Sequence, residues 1–233
     1  MAKPRILFFD LETAGVNALK ADLGFILMVG YKWAGQKDAH VLTIKKKHLK
    51  HFDDGPLCTQ FSKMYAKADL VVAHFGSVFD RRMFQGRLLI HQLPPIPPTI
   101  MRDTCMITRS VANFSSNRLK NLGDTLQLKN RKIDKGDGWP RWWFKAMQGD
   151  MKELRAMADY CKGDVLALEE LYYRLRPFDQ SHPRLHSDRT LCGSCGAATI
   201  RQGYRHTKER RYVRYQCANA LCGKWGQKGL NAA

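Results

Sequence analysis

Apolar and polar positions alternate along this chain in blocks short enough to be read element by element. Arg5 to Asp10 is an apolar run that ends in an acid, the pattern of a buried strand. Phe25–Trp33 and His40–Ile44 are rich in aromatic and β-branched residues and predict two more strands. The basic run Lys45–Lys50 follows as a solvated loop. A helix is expected within Pro56–Lys67, a fourth strand over Asp69–His74 and a second helix over Phe79–Leu89. The proline-rich stretch Leu93–Pro98 reads as a rigid connection, and Thr99–Thr104 as a fifth strand. Met151–Leu175 gives the clearest helix: Leu154, Met157, Cys161, Val165, Leu168 and Leu171 recur at helical spacing, and Pro177 stops it. Strands interleaved with helices predict a mixed α/β sheet flanked by helices.

Beyond Pro177 the pattern changes. Phe178–Arg189 is polar and interrupted by Pro183, which reads as a linker. The remaining residues are rich in Cys, Gly and Arg and too few to close a hydrophobic core of their own. The expected organisation is therefore an α/β domain over 1–177, a linker over 178–189 and a small stapled module over 190–233.

Charge alters this picture. The 39 Lys and Arg against 21 Asp and Glu leave a formal net charge of +18. Such an excess points to a polyanionic partner, because Lys and Arg replace the counterions condensed on phosphates. No run is long enough to span a bilayer, and Asp10 cuts short the apolar stretch Ile6–Phe9, so neither a membrane helix nor a signal-peptide core is expected. A cytoplasmic protein, in the host cytoplasm if viral, is the expectation. The seven cysteines are an odd number, with Cys58, Cys105 and Cys161 scattered. Cys192, Cys195, Cys217 and Cys222 form two close pairs, as in a metal site in a reducing compartment.

Three acidic elements carry candidate chemistry. Asp10-Leu11-Glu12 ends the first strand, where residues at i and i+2 point to the same face. In Ala73-His74-Phe75-Gly76-Ser77-Val78-Phe79-Asp80, a strand ends, a glycine turns the chain and an acid opens a helix. A lone acid there is also what the helix dipole favours. In Tyr160-Cys161-Lys162-Gly163-Asp164, the i and i+4 residues share an inward helical face. Four carboxylates brought to one site repel each other unless cations neutralise them, and hard oxygen ligands suit Mg²⁺ or Mn²⁺.

The order Phe-Asp-Leu-Glu-Thr, Ala-His-x-Gly-x-x-Phe-Asp, Tyr-x-x-x-Asp resembles the three motifs of the DEDD superfamily of 3′→5′ exonucleases, tyrosine subtype. Within it, the chain more strongly resembles predicted ribonuclease H-like exonucleases of bacteria and phages. Ile100–Thr104, Asn117-Arg118-Leu119 and Leu171–Pro177 are further similar phrases. The resemblance spans about residues 4–177. It implies an RNase H-like fold, with Asp10, Glu12, Asp80 and Asp164 holding two Mg²⁺ or Mn²⁺ ions and Tyr160 orienting the attacking water. It also implies hydrolysis from the 3′ end of nucleic acid, expected to be single-stranded DNA. An exoribonuclease is the same-fold alternative, and a non-catalytic nucleic-acid-binding protein the alternative of another class. Many members carry Asn where this chain has Phe75. Phe75 is read as a core phenylalanine with base stacking as the alternative, His74 as a strand-end histidine with a structural hydrogen bond, and Asp103 as the cap of a following helix.

In the tail, Cys192-Gly193-Ser194-Cys195 followed by Cys217 and Cys222 predicts a closed structural Zn²⁺ site in a zinc ribbon. Arg205, Arg210, Arg211, Tyr212, Arg214 and Trp225 lie between and around the pairs. Interleaved basic and aromatic residues of this kind suit phosphate contacts and base stacking, or a ribbon that docks protein.

Overall fold

The computed structural model of the protein describes residues 3–130 and 139–229. Residues 1–2, 131–138 and 230–233, within the expected domains 1–177 and 190–233, lie outside the described residues. The chain forms two compact units that divide between Leu171 and Tyr172. The strands of the first are β1 (Ile6–Gly15), β2 (Gly24–Trp33), β3 (His40–Thr43), β4 (Leu70–Ala73) and β5 (Ile100–Asp103). They form one sheet in the order β3-β2-β1-β4-β5. β1 pairs antiparallel with β2 and parallel with β4, so the sheet is mixed, as expected. Its helices are α1 (Lys46–Leu49), α2 (Gly55–Tyr65), α3 (Asp80–Ile90), α4 (Thr104–Val111), α5 (Leu119–Thr125), α6 (Trp139–Met147) and α7 (Met151–Leu175).

Two expectations are corrected. The strand expected to stop at Asp10 runs on to Gly15, because both acids lie within a ladder to β2 that a bulge at Glu12/Thr13 shifts but does not end. The basic run expected as a loop holds the single turn α1, anchored by buried Leu49. The helices α4, α5 and α6 lie where periodicity marked no element.

β1 sorts its side chains by the two-residue period of a strand. Leu7, Phe9 and Leu11 join the core formed with α2 and α3. There Phe9 packs against Phe61 and Tyr65, with ring centroids 5.3 and 6.0 Å apart. The intervening residues, Asp10 and Glu12, fall to the opposite side, which α7 covers. A buried ion pair between Lys32 of β2 and Glu169 of α7 ties that helix to the sheet.

Another buried network positions α3. Arg87 makes a forked contact with fully buried Asp54, whose other oxygen accepts the Ile26 amide at 2.7 Å. The same guanidinium donates to the carbonyls of Ala21 and Gly24 at 2.8 and 2.9 Å, pinning the β1–β2 connection to α3. Every polar partner is satisfied, as burial of charge requires.

The second unit contains an antiparallel sheet of β6 (Thr199–His206), β7 (Arg211–Cys217) and β8 (Trp225–Gly229), in that order. Its segment 178–189 carries two buried side chains, Asp179 and His182. The His182 imidazole lies between the Tyr172 hydroxyl (2.7 Å from Nε2) and the Pro183 carbonyl (2.8 Å from Nδ1). Nδ1–H therefore donates to the carbonyl, and Nε2 accepts from the phenol. Burial lowers its pKa from 6.5 to about 4. Between those values the folded form binds fewer protons than the unfolded chain, so this contribution to stability is complete above pH 6.5 and is lost as pH falls toward 4. Nitrogen shifts in an NMR titration should show a neutral His182 ring at about pH 5. Titration near the ordinary histidine value would contradict the arrangement.

No helix among the described residues is long and apolar enough to cross a membrane.

Candidate functional site

Strand alternation, a helix start and a long helix position the four acids, and of these the structure groups Asp10 and Glu12 closely. Asp10 and Glu12 arrive by strand alternation, with Asp10 half-buried and Glu12 buried. Their carboxylate oxygens and the Cys161 sulfur all lie within 4.8 Å of one another. Asp80 arrives by the N-terminus of α3. Its Oδ1 accepts the backbone amide of Leu11 at 3.0 Å, which sets this buried carboxylate against the residue between the two β1 acids. Asp164 arrives on α7, one turn beyond Cys161, and is 1 % exposed. Tyr160, on the same helix, is buried within the main core.

Cys161 was not anticipated as part of this cluster, because its spacing reads equally well as helix core. Burial, reinforced by the charges of Glu12, Asp10 and Asp164, raises its thiol pKa well above the ordinary value. The group therefore stays protonated and adds no negative charge to the carboxylates. Gly30 explains how α7 comes so near. It lies opposite Asp10 in the β1–β2 ladder, and a Cβ there would stand 2.6 Å from Cys161 Sγ and 2.9 Å from Val165 Cγ2. Gly30→Ala should cost about 1–3 kcal/mol through overpacking, with part of the loss recovered in Gly30→Ala/Cys161→Ala. Urea midpoints measure both. A single variant as stable as wild type would mean that α7 does not need this gap.

The segment leading to Asp80 is braced from β5. Asp103 caps α4, as expected, through the amides of Cys105 and Met106. It also accepts the amides of Phe75 and Ser77 and the Ser77 hydroxyl, at 2.9, 3.0 and 2.6 Å. This second role depends on Ser77, which no motif singled out. His74 has both ring nitrogens engaged, by Thr104 Oγ1 and the Asn117 carbonyl, each at 2.9 Å.

Phe75 is not the core phenylalanine expected. Its backbone adopts φ +62°, its ring is 37 % exposed, and the Arg109 guanidinium lies 5.7 Å from the ring centroid. The Asp103 brace fixes a left-handed backbone here, which Asn tolerates and a bulky side chain adopts at a cost of about 1–3 kcal/mol. That conformation turns the ring outward.

Hard divalent cations fit the first cluster. Two carboxylate oxygens held within 4.8 Å of each other on one strand are hard donors of the kind such an ion takes, and Asp80 and Asp164 do not join that group within the same distance. The four cysteines form a second, softer set. All four sulfurs lie within 4.8 Å of one another, with Cys192–Cys222 at 3.8 Å and Cys195–Cys217 at 3.4 Å. A Zn²⁺ with bonds of about 2.3 Å places tetrahedral sulfurs about 3.8 Å apart. Each sulfur also faces a backbone amide two residues on: Ser194 for Cys192, Ala197 for Cys195, Asn219 for Cys217 and Lys224 for Cys222. Donors so placed stabilise thiolates. Gly196 and Gly223, at φ +75° and +49°, let the chain turn immediately after a cysteine. This three-stranded sheet with clustered cysteines has the layout of a zinc ribbon.

The basic and aromatic candidates of the tail do not form one patch. Strand register places Arg205 opposite Tyr212, and Trp225 opposite Gln216. By alternation Arg205, Tyr212, Arg214 and Trp225 share one face, where the Arg214 guanidinium lies over the Trp225 ring at 5.3 Å. Arg211 falls on the other face and stacks on Tyr204 at 3.4 Å. Arg210 lies in the β6–β7 turn, its amide held by Thr207.

Comparison with known proteins gives a match to the RNase_H superfamily over residues 7–176. No curated protein matches in sequence. Among solved structures, the fold is similar to the family B DNA polymerase from the hyperthermophilic archaeon Pyrobaculum calidifontis, with a TM-score of 0.61 and 16% sequence identity. The alignment covers 76% of this chain and 25% of the polymerase, so the chain spans about a quarter of that protein's length. The superfamily match takes in all of the strands β2–β5, most of β1, and the four acids with Tyr160. By that match, and by the mixed five-stranded sheet on which the acids sit, the chain belongs to the RNase H superfamily.

Proposed function

We propose that the first unit is a metal-dependent 3′→5′ exonuclease acting on single-stranded DNA. The observation that carries this reading is the placement of Asp10 and Glu12 side by side on β1, with Asp80 hydrogen-bonded to the amide between them. Asp10, Glu12, Asp80 and Asp164 would hold two Mg²⁺ or Mn²⁺ ions, which when bound neutralise charge at a phosphodiester and activate water. The residues supply the rigid frame for this chemistry. β1 fixes two carboxylates, the Leu11 amide orients the third, and α7, seated on Gly30, delivers the fourth. Tyr160 stands one turn before Asp164, where its hydroxyl would orient the attacking water. The polarity of degradation, the strand preference and the role of Tyr160 rest on the resemblance to the DEDD motifs.

The test is shortening of a 5′-labelled oligonucleotide, as DNA and as RNA, with Mg²⁺, Mn²⁺ or neither. A metal-dependent ladder of progressively shorter labelled DNA is expected. Immediate release of a labelled mononucleotide would reverse the polarity, and preferential degradation of RNA would make the protein an exoribonuclease. Binding without cleavage under any metal would favour a non-catalytic binding protein. Within the same assay, Tyr160→Phe should slow cleavage by about 10–100-fold, less than removal of a carboxylate, because a phenol that orients water carries no metal. Metal affinity, measured by calorimetry, should stay at the wild-type value. Losses equal to those of Asp164→Ala would contradict the role.

A further inference from the structure

The loop that delivers Asp80 carries a residue that its own backbone disfavours. Phe75 adopts φ +62°, a region that glycine and asparagine enter readily and a bulky side chain enters only at a cost. Such an outlier persists where its surroundings enforce it, and sites of function are where these outliers cluster. Here the enforcement comes from both sides of the residue. The Phe75 and Ser77 amides donate to the Asp103 carboxylate at 2.9 and 3.0 Å. The Phe75 carbonyl accepts the amides of Val78 and Phe79 at 3.2 and 3.0 Å. The loop so closed lies tight against the acid it leads to: a Cβ built on Gly76 would stand 3.5 Å from Asp80 Oδ2. Phe75 adjoins that glycine, which puts it at the edge of the acidic site. We propose that the Phe75 ring is a stacking platform for one base of the strand whose phosphodiester the acids engage, and that this contact positions the strand.

A ring that served the fold would be covered by it. Phe75 is exposed instead, and the main core takes in Phe79, four residues on, without including Phe75. Its neighbour is a cation. Arg109, in the last turn of α4, places its guanidinium 5.7 Å from the ring centroid. α4 thus holds the residue at both ends, by the backbone through its N-cap Asp103 and by the ring through Arg109. Arg109 is itself exposed, and its guanidinium stays charged at any working pH. A strand that reaches the ring therefore meets an aromatic surface and a positive charge together. That pairing suits single strands of any sequence, because every base has a π-face and every nucleotide a phosphate. An Asn in place of Phe75 would tolerate the left-handed backbone and lose the platform.

This proposal rests on the nuclease reading in bringing the strand to the acids, and it is tested by binding rather than cleavage. Anisotropy follows 5′-fluorescein-labelled dT6 on the full-length protein in Ca²⁺, a hard cation that offsets the carboxylate charge. Electrophoresis checks that the oligonucleotide stays intact. A matching set of hexamers carries one abasic residue at each position in turn. In the wild type, loss of one particular base should weaken binding by about fivefold or more, the low end of what base–aromatic stacking contributes. In Phe75→Asn, the intact hexamer should bind about that much more weakly, and loss of the same base should then matter by less than about twofold. Phe75→Tyr should keep the dependence on that base and stay within about threefold of wild-type affinity. The urea midpoint of Phe75→Asn should match or exceed that of the wild type, because the backbone strain is relieved. Failure of the wild type to bind the hexamer or to single out one base overturns the proposal. So does wild-type affinity in Phe75→Asn, or a loss that adds to that of the abasic residue. A midpoint that falls in Phe75→Asn together with binding makes the ring structural and overturns it as well. A wild type that shows this coupling but shortens no oligonucleotide with Mg²⁺ or Mn²⁺ overturns the nuclease reading and leaves the platform standing.

Discussion

Asp10→Ala and Asp164→Ala should each lower cleavage of a 5′-labelled oligonucleotide by a factor of about a thousand or more. The size of the effect follows from where the two acids sit. Asp10 occupies a rigid strand beside Glu12, and Asp164 is almost fully buried on the helix that covers it. Each supplies a carboxylate from a different element, and Asp80 already has one oxygen on the Leu11 amide. The fold should survive both changes. Removing one of several crowded negative charges relieves repulsion, so the urea midpoint is expected to match or exceed that of wild type. Cleavage within tenfold of wild type in both variants, with bound metal unchanged, would remove these acids from the reaction. A midpoint that falls sharply would show instead that they hold the fold together.

The other large effect is expected in the second unit. Cys222→Ser should abolish zinc binding and unfold the ribbon, while activity on a trinucleotide persists. Cys222 is fully buried, and the buried core of this module consists of Cys192, Cys217 and Cys222 themselves. So small a unit has little apolar area with which to offset the entropy of ordering its chain. Structural zinc supplies about 10–16 kcal/mol in comparable finger peptides, and that binding energy is the folding energy. Serine offers an oxygen in place of a thiolate and leaves the other three sulfurs incompletely coordinated. Elemental analysis and the amide dispersion of β6–β8 in a heteronuclear NMR spectrum measure the outcome. One zinc per chain together with native dispersion in the variant would refute the structural role.

The two sites were legible in the sequence to different depths. Whatever depends on spacing within one element could be read directly. Strand periodicity alone puts Asp10 and Glu12 on the same face, and helical periodicity places Tyr160, Asp164 and the apolar residues of α7. Paired cysteines announce a metal by their separation. Contacts across the chain were not legible in this way. The Leu11 amide meets Asp80 across 69 residues, and Gly30 makes room for Cys161 from a different strand. Cys161 looked like core because a buried thiol next to carboxylates and one in a hydrophobic cluster have the same local spacing. Asp103 showed one of its two roles, since a cap is local and a brace to Ser77 is not.

Other features were decided by tertiary structure alone. β1 extends past its acids because β2 supplies the ladder and α7 covers the side chains, an environment that overrides the polarity of the local sequence. One buried leucine turns the basic run after β3 into helix α1. Phe75 points outward because its backbone is held in a left-handed conformation by Asp103, a constraint that hydrophobicity cannot reveal. The basic tail resolves into two faces only when β6, β7 and β8 pair, because register determines which charges become neighbours. The sequence by itself determined the strongly periodic elements, the candidate acids and the cysteine pairs, which depend on short-range periodicity and spacing. The tertiary structure decided which of them meet, because that depends on how elements distant in the chain pack together.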